Sequence, residues 1–456
     1  MQSDKSAPPV GRPLQQPKSR PNLRQTAVLW APLSLVVTVF AAIAFAYSVR
    51  VPLYEAPDEP AHVAYVESIA FDHKLPAARA TYEAQHPPLY YAVEAVVIRA
   101  LGLPYAPSRA TNPAWENATV TLENVPHFEH PDEAFPWPRN VWTIQVMRAV
   151  TILFGVALVI LTYFTAEMLF PGRRLLALSA TATAGWVPQF AFISGTVNND
   201  VPAAAFGALA IYAGLRYFKN SEPLYLILSA VAVGLAALTK STAAITGVVP
   251  LAAVILTGTS WRDRVRGATI ACLIPAFIAG WFYVRSFAMW GNLISSDDFG
   301  VILHPHGLTD PLYRTIFYDT LFDSYWFTGG WANIHFLPLT YRLLAIFPAL
   351  AAGGVIVGLR RSPLDRVQRF GLCAFVVLLV IAILGVIEYS VMQDYGPQGR
   401  YLFGVQSAIA ILLTYGIGTV FSRDGETDHA AMLILPAVLL VMNAWVFLVK
   451  LPAVYG

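Results

Sequence analysis

The sequence predicts an all-α polytopic membrane protein, and its composition, its apolar runs and the placement of its charges support this. Of the 456 residues, 56% are hydrophobic and 13% are charged, and the mean hydropathy is +0.54. A soluble chain averages about 25% charged residues, whereas a membrane-spanning helix needs about 20 mostly apolar ones. With 30 basic against 28 acidic residues, the net charge of +2 provides no field for nucleic acid. These figures exclude a soluble enzyme, a disordered protein and a nucleic-acid-binding protein.

About eleven transmembrane helices are expected. Residues 1–26 are predicted to be a disordered basic cytoplasmic tail, because they are polar, rich in proline and too poor in apolar surface to fold. Residues 27–456 are then expected to form one transmembrane domain. Its apolar runs are 27–49, 141–170, 174–195, 199–218, 222–239, 241–259, 266–289, 338–359, 368–391, 401–421 and 430–450.

The basic loops fall on one face of this topology. The N-terminal tail, Arg173–Arg174, Arg262–Arg266 and Arg360–Arg361 share a side, which the positive-inside rule assigns to the cytoplasm. The N-terminus is therefore expected in the cytoplasm and the C-terminus outside. The opposite face carries two long extracytoplasmic loops, 50–140 and 290–337.

The first long loop is predicted to contain amphipathic helices, because structureless runs of this length are uncommon in compact domains. One helix is expected to begin at Pro57-Asp58-Glu59-Pro60 and to continue through Val63 and Val66, with its apolar stripe on the outer membrane surface. A second is expected from Leu89 to Leu101, after Pro87-Pro88.

Seven polar clusters interrupt the apolar chain, and the predicted topology places all of them at the outer face. Ionisable groups near a membrane are costly, so their gathering on one side indicates a shared site. The clusters are Asp58-Glu59, Gln85-His86-Pro87-Pro88, Asn198-Asn199-Asp200, Thr239-Lys240-Ser241, Arg285, Ser324-Tyr325-Trp326 and Gln398-Gly399-Arg400-Tyr401.

The acidic members have two interpretations each. Asp58 is placed to act as a general base on an acceptor hydroxyl, or else it caps the following helix with Glu59 in the first turn. Asp200 belongs to the same site or caps its own helix. Most histidines are external, but none has a closed zinc spacing. A divalent metal ion therefore stays open as a cofactor, and its ligands are unknown.

The basic and aromatic members also have two interpretations. Lys240, Arg285 and Arg400 are suited to a lipid phosphate, or they reach ordinary headgroups from helix ends. Trp326 can stack on a sugar or belong to an interfacial aromatic belt. Arg148 lies about two turns inside its helix and needs a partner, for which Glu388 is the candidate.

Taken in order, the motifs resemble those of the polytopic GT-C glycosyltransferases. They include Pro57-Asp58-Glu59-Pro60-Ala61-His62, His86-Pro87-Pro88-Leu89-Tyr90-Tyr91, Ser194-Gly195-Thr196-Val197-Asn198-Asn199-Asp200, Gly234-Leu235-Ala236-Ala237-Leu238-Thr239-Lys240, Gly280-Trp281-Phe282-Tyr283-Val284-Arg285, Ser324-Tyr325-Trp326 and Gln398-Gly399-Arg400-Tyr401. The resemblance covers roughly residues 50–410. It is strongest to a bacterial membrane branch of unknown function, related to protein O-mannosyltransferases and lipid A aminoarabinose transferases.

The resemblance implies a GT-C-like fold and a sugar donor linked to polyprenyl phosphate. It also implies transfer at the outer face of the bacterial plasma membrane, to an acceptor that stays open. By analogy Asp58 is the base, Glu59 assists or orients it, and Asp200 is a second acidic residue near the reaction centre. Donor phosphate contacts fall to Lys240, Arg285 and Arg400, and the other expected substrate-binding residues are His86, Asn199, Trp326 and Tyr401.

Two other functions compete with an inverting transferase. A lipid-linked sugar flippase or transporter is one, but transporters tend to place charges near the membrane midplane in repeated halves, whereas here they crowd the outer edge. A polymerase or ligase for a surface polysaccharide would share the external loop 51–140, in which twelve acidic residues outnumber five basic ones, and this function stays open.

Overall fold

The computed structural model describes residues 23–77, 80–81, 83–112, 130–293, 311–393, 397–422 and 429–455. The predicted tail therefore lies almost wholly outside the described residues. The α-helices are α1 Leu23–Arg50, α2 Glu59–Ala70, α3 Leu89–Ala100, α4 Arg139–Leu169, α5 Arg174–Trp186, α6 Pro188–Ser194, α7 Asp200–Asn220, α8 Pro223–Ala237, α9 Val248–Thr257, α10 Trp261–Trp290, α11 Pro311–Trp326, α12 Pro338–Leu344, α13 Ile346–Arg361, α14 Arg366–Gln393, α15 Gln406–Val420, α16 His429–Trp445 and α17 Leu451–Tyr455. Single 3₁₀ segments occupy Pro131–Glu133, Ser241–Gly247 and Gly399–Val405, and a π-helical segment occupies Val446–Lys450.

The chain is an all-α, multi-pass membrane protein, with fewer full-length spans than the sequence predicts. Among the described residues, eight helical segments are long and apolar enough to cross a membrane, and the bent pair α5 and α6 makes nine. The predicted spans 222–239 and 241–259 are helical but short. The first is α8, with 15 residues, and the second is a 3₁₀ turn followed by the ten residues of α9. At 1.5 Å per residue α8 extends about 22 Å, less than a hydrocarbon core of about 30 Å.

The predicted span 174–195 is broken by a proline. Pro188 follows Val187, whose backbone leaves the helical region at φ −54° and ψ 118° because the proline ring clashes with a preceding helical residue. Helices α5 and α6 therefore meet at a bend of 61°. Helix α6 leads directly into the Asn198-Asn199-Asp200 link. The bend therefore sets the direction in which the chain enters this link.

Helices α7 and α15 lie at the centre of the bundle. Helix α7 packs against α4, α8, α9 and the Gly399–Val405 turn, while α15 packs against α5 and α13. The α13–α15 crossing depends on Gly354 and Gly416, since a Cβ at either position would overlap the backbone of the facing helix. The central position of α7 places its first residue, Asp200, where several helix ends converge.

The two helices predicted in the first long loop are confirmed as α2 and α3, but the expected position of the α2 apolar stripe is wrong. Val63 and Val66 are buried in a small core with Tyr90 and Tyr91 of α3 and with Val141, at the start of α4. The stripe thus packs inside the protein because α3 and α4 offer it an apolar surface. The loop forms a folded layer over the ends of the spanning helices.

Candidate functional site

Asp58 stands at the turn that leads into α2, with a left-handed backbone at φ 65°. Asp and Asn tolerate this conformation better than most residues. Its carbonyl accepts hydrogen bonds from the amides of Ala61 and His62, but its carboxylate makes no capping hydrogen bond to the helix. The capping interpretation of Asp58 is therefore wrong. The carboxylate is left free to meet a partner from elsewhere in the chain.

That partner is Arg400, which lies 342 positions further along the sequence. The Nη2 atom of Arg400 donates to Oδ2 of Asp58, and its Nη1 lies 3.9 Å from Oδ2 of Asp200. Lys240 Nζ in turn donates to Oδ1 of Asp200 at 2.6 Å. All four side chains are at most one-fifth exposed. Two carboxylates and two cations from four separate segments thus form one continuous, nearly dry ion-pair cluster.

The Asp200 carboxylate joins this cluster because a neighbour caps α7. Oδ1 of Asn198 accepts from the amides of Asp200 and Val201 at 3.0 and 3.2 Å, while its amide nitrogen donates to Ile193 and Thr196. The interpretation of Asp200 as the helix cap is therefore wrong. Asn199 donates from Nδ2 to the Thr239 carbonyl at 3.4 Å and ties this link to the segment that carries Lys240.

Tyr401 lies between the two cations. Lys240 Nζ is 5.6 Å and Arg400 Cζ 5.8 Å from the centre of its ring, distances at which a cation is attracted to an aromatic face. The Tyr401 ring therefore attracts both cations of the cluster, as the two carboxylates also do.

Glu59 and Arg148 form a separate, fully buried ion pair. Arg148 Nε and Nη2 donate to the two oxygens of Glu59 at 2.8 and 2.7 Å, and its other donors reach the carbonyls of Ser48, Val51 and Pro52. The Glu59 oxygens also accept from the Tyr54 and Val197 amides. The expected Arg148–Glu388 pair is thus wrong, since Glu59 satisfies the arginine and Glu388 is exposed.

This pair joins the end of α1, the start of α2, the first third of α4 and the Val197 link. The hydrogen bonds of Glu59 go to Arg148, Tyr54 and Val197 rather than to the Asp58 cluster, although Glu59 and Asp58 are adjacent in sequence. The connection between this pair and Asp58 therefore runs through the backbone.

A second acidic group, which the seven polar clusters do not include, lies beside the ion-pair cluster. Glu83 Oε2 is 2.9 Å from Nε2 of His86 and 3.7 Å from Nδ1 of His62, and His62 Nδ1 is 2.9 Å from the Tyr91 hydroxyl. Burial lowers the pKa of His62. Burial would raise the pKa of Glu83, but His86 and His62 outweigh it and hold that pKa below its ordinary value. The spacing Glu83-x-x-His86 was the available signal.

The Ser324-Tyr325-Trp326 cluster positions the segment that carries Arg400. Ser324 Oγ accepts from the Gly399 amide at 2.7 Å, and the Tyr325 hydroxyl donates to Gln406 Oε1 at 3.1 Å. A Cβ at Gly399 would overlap the Tyr325 backbone, so only glycine allows this approach. The end of α11 therefore fixes where the Gly399–Val405 turn begins.

Substituting Gly399 with alanine should lower kcat/KM about 100-fold while the protein stays folded. The added methyl group must push the turn away from α11, and a displacement of about 1 Å at a site residue costs about that much. Steady-state kinetics on the purified variant measure the effect. Gly385→Ala is the matched control, because a Cβ there meets nothing within 4 Å and alanine favours the helix. Equal loss in both variants would contradict the positioning role.

Two expected substrate-binding residues do not contact the cluster. Arg285 donates to the Pro76 carbonyl at 3.1 Å and lies 5.9 Å from the Trp290 ring. Trp326 is 1% exposed and packs against Phe322 and Tyr325 in the main core, so no sugar reaches its faces in this structure. Trp326 therefore serves to pack the end of α11 against the core.

For a metal ion, the described part of the chain offers no group of three or more histidine, cysteine, aspartate or glutamate side chains arranged as ligands. The cluster instead pairs each carboxylate with a cation. Such an arrangement can accept a proton at one carboxylate and stabilise an anionic oxygen at the cations.

Part of the sequence and the fold as a whole are similar to known proteins. Residues 140–283 match the family described as dolichyl-phosphate-mannose-protein mannosyltransferase, and this segment contains Arg148, Asp200 and Lys240. No curated protein sequence matches the chain significantly. The structure is similar to the archaeal oligosaccharyltransferase AglB from Archaeoglobus fulgidus, in complex with an inhibitory peptide and a dolichol-phosphate. The TM-score is 0.50 and the identity 12%, over 94% of this chain and 56% of that one.

The chain thus matches a glycosyltransferase family over residues 140–283 and has a fold similar to that of the polytopic GT-C enzymes. A further similarity is to ArnT from Cupriavidus metallidurans bound to undecaprenyl phosphate, with a TM-score of 0.48 and 13% identity over 93% of this chain and 74% of that one. At these identities the structural likeness concerns the fold. The resemblance inferred from the seven motifs is thereby confirmed, whereas the roles of individual residues stay predictions.

Proposed function

We propose that this glycosyltransferase moves a sugar from a polyprenyl-phosphate donor to an acceptor hydroxyl, with Asp58 as the base. The observation that carries the proposal is the meeting of Asp58 with Arg400, since a proton acceptor and a phosphate-binding cation must face the same sugar. The matched family is named for a dolichyl-phosphate-sugar donor, and AglB was solved with a dolichol-phosphate. Both relationships support a lipid-linked donor for this chain.

The proposed reaction is a single inverting displacement. Asp58 accepts the proton of the acceptor hydroxyl as its oxygen forms a bond to the anomeric carbon. The bond from that carbon to the donor phosphate oxygen breaks, and the polyprenyl phosphate leaves with the bonding electrons. Arg400 and Lys240 stabilise the negative charge that develops on the departing oxygen. A phosphate leaving group needs little acid assistance, so one carboxylate suffices.

Asp200 is proposed to hold Lys240 and Arg400 at a fixed distance from each other. Its two oxygens face Lys240 and Arg400 separately, so it fixes the spacing of the cations that contact one phosphate group. This assigns Asp200 a positioning role near the reaction centre.

The reaction is proposed to occur at the extracytoplasmic side of a bacterial plasma membrane. The basic loops Arg173–Arg174, Arg262–Arg266 and Arg360–Arg361 belong to the opposite helix ends and favour the cytoplasm. This orientation places the N-terminus inside and the C-terminus outside.

Consumption of a labelled donor distinguishes this function from a lipid-sugar flippase. Purified protein is reconstituted into liposomes with polyprenyl-phosphate sugars labelled in the sugar, using a panel of hexose and pentose donors and a membrane extract as the acceptor source. We expect one donor to lose its labelled sugar to a new product. A donor that stays intact and only changes leaflet would contradict the transferase and favour the flippase.

A further inference from the structure

Glu83 and His86 take no part in the proposed displacement, yet they lie beside it. Their side chains are 2.9 Å apart, and Glu83 is 3% exposed whereas the His86 side chain is 22% exposed. His62 is buried and already engaged with the Tyr91 hydroxyl. Of the two histidines near Glu83, His86 is therefore the one that exchanges protons with water.

The ion-pair cluster and Glu83 together carry a net negative charge when both histidines are neutral, and Arg285 is not counted because it donates to the Pro76 carbonyl outside the cluster. Asp58, Asp200 and Glu83 contribute three negative charges, and Lys240 and Arg400 contribute two positive ones. A sugar-linked polyprenyl phosphate is a phosphodiester and brings one more negative charge. Binding it to a site of net charge −1 is unfavourable where little water screens the charges. One additional proton would bring the site to neutrality.

We propose that His86, paired with Glu83, takes up one proton when the phosphodiester of the donor binds. Donor affinity then depends on pH, and Glu83 sets that dependence by holding the histidine proton. The inference rests on the proposed function, because it takes the ligand to be an anionic phosphodiester.

The titratable and charged groups around this pair and its neighbours come from six elements. They are Asp58, His62 and Tyr65 from the α2 segment, Tyr91 from α3, Asp200 from α7, Lys240 from the link before the Ser241–Gly247 turn, Arg285 from α10, and Arg400 and Tyr401 from the Gly399–Val405 turn. Burial raises the pKa of Tyr65 and of Tyr91, so both phenols stay neutral near pH 7. Among side-chain types, histidine is the one whose ordinary pKa, near 6.5, places its change of charge between pH 6 and 8.

The pH dependence of analogue binding tests the inference. The probe is geranyl methyl phosphate, a soluble phosphodiester whose single charge does not change above about pH 3. Its Kd is measured by calorimetry from pH 5.5 to 8.5, in two buffers of different ionisation enthalpy. Above the ordinary pKa of histidine we expect the Kd to rise by up to tenfold per pH unit, because the bound state takes up a proton there. Proton uptake should approach one at the alkaline end.

Glu83→Gln separates this role from a purely structural one. The substitution removes the negative charge that has to be offset, so the variant should bind the probe more tightly than the wild type at pH 8, with little pH dependence. Glu222→Gln is the matched control, since it removes one charge at the opposite end of α8 and should leave the wild-type slope unchanged. His86→Gln, at a partly exposed side chain, should abolish the proton uptake.

The possible failures are distinguishable. Binding with no pH dependence or proton uptake in the wild type would overturn this inference but leave the proposed function intact, as would a slope that persists in Glu83→Gln. Absence of probe binding by the wild type at every pH would overturn the proposed function and this inference together. Binding that is lost in EDTA and restored by zinc would also overturn it, because a metal ion would then supply the charge.

Discussion

Substituting Arg148 with alanine should prevent accumulation of folded protein. The change leaves the Glu59 carboxylate buried without its cation and removes the donors to the Ser48, Val51 and Pro52 carbonyls. Removing one partner of a buried ion pair costs about 3–5 kcal/mol, against a total stability of about 5–15 kcal/mol. The yield of monodisperse protein in detergent and the midpoint of thermal unfolding measure the effect.

Glu388→Gln is the matched control for this prediction. Glu388 was the partner expected from the sequence, and it is exposed near the end of α14. Its substitution should change stability by less than about 0.5 kcal/mol. The double substitution Glu59→Gln with Arg148→Gln removes both charges and should be less damaging than Arg148→Ala. A folded Arg148→Ala variant with an unchanged unfolding midpoint would contradict the structural role of the pair.

Substituting Asp58 with asparagine should lower kcat about 10²- to 10⁴-fold without loss of folded protein. The amide oxygen can still accept from Arg400, and asparagine tolerates the left-handed backbone, but the side chain no longer takes up a proton. Because Arg400 keeps an acceptor, donor binding should change much less than turnover. The comparison of kcat with KM in the reconstituted transfer assay separates the two effects.

Asp72→Asn provides the control for Asp58→Asn. Asp72 is exposed just beyond the end of α2 and pairs only loosely with Lys74, 3.6 Å away. It removes the same charge from the same loop and should retain wild-type turnover. Wild-type transfer rates in Asp58→Asn would show that another group accepts the proton.

The helices of this protein are largely predictable from its sequence. Hydropathy located the long apolar helices, and the proline-led starts of α2 and α3 are visible in the first long loop, whereas α11 lies in the segment 290–337 that was predicted as a loop. Such features depend on a few neighbouring residues. The lengths of α8 and α9 were overestimated because hydropathy cannot distinguish a short helix packed among others from a full span.

Errors arose where one residue had a choice of partners. The sequence allows Asp200 to cap α7, but the side chain of Asn198 accepts from the first amides of that helix. It also allows Glu388 as the partner of Arg148, but Glu59 forms the ion pair. Trp326 is an aromatic residue of the kind that stacks on sugars, but in this structure it is buried in the hydrophobic core. For Arg148 the residue type was informative, but its partner lies 89 positions away in the sequence.

The sequence alone determined that this is an all-α membrane protein with a folded acidic first loop and motifs of the GT-C kind, because apolar length and motif order are properties of the chain itself. Only the tertiary structure decided that Arg400 reaches Asp58 across 342 positions and that Glu83 lies between two histidines. The physical reason is that ion pairs form by distance in space, and that distance is set by the packing of α7, α11 and the Gly399–Val405 turn.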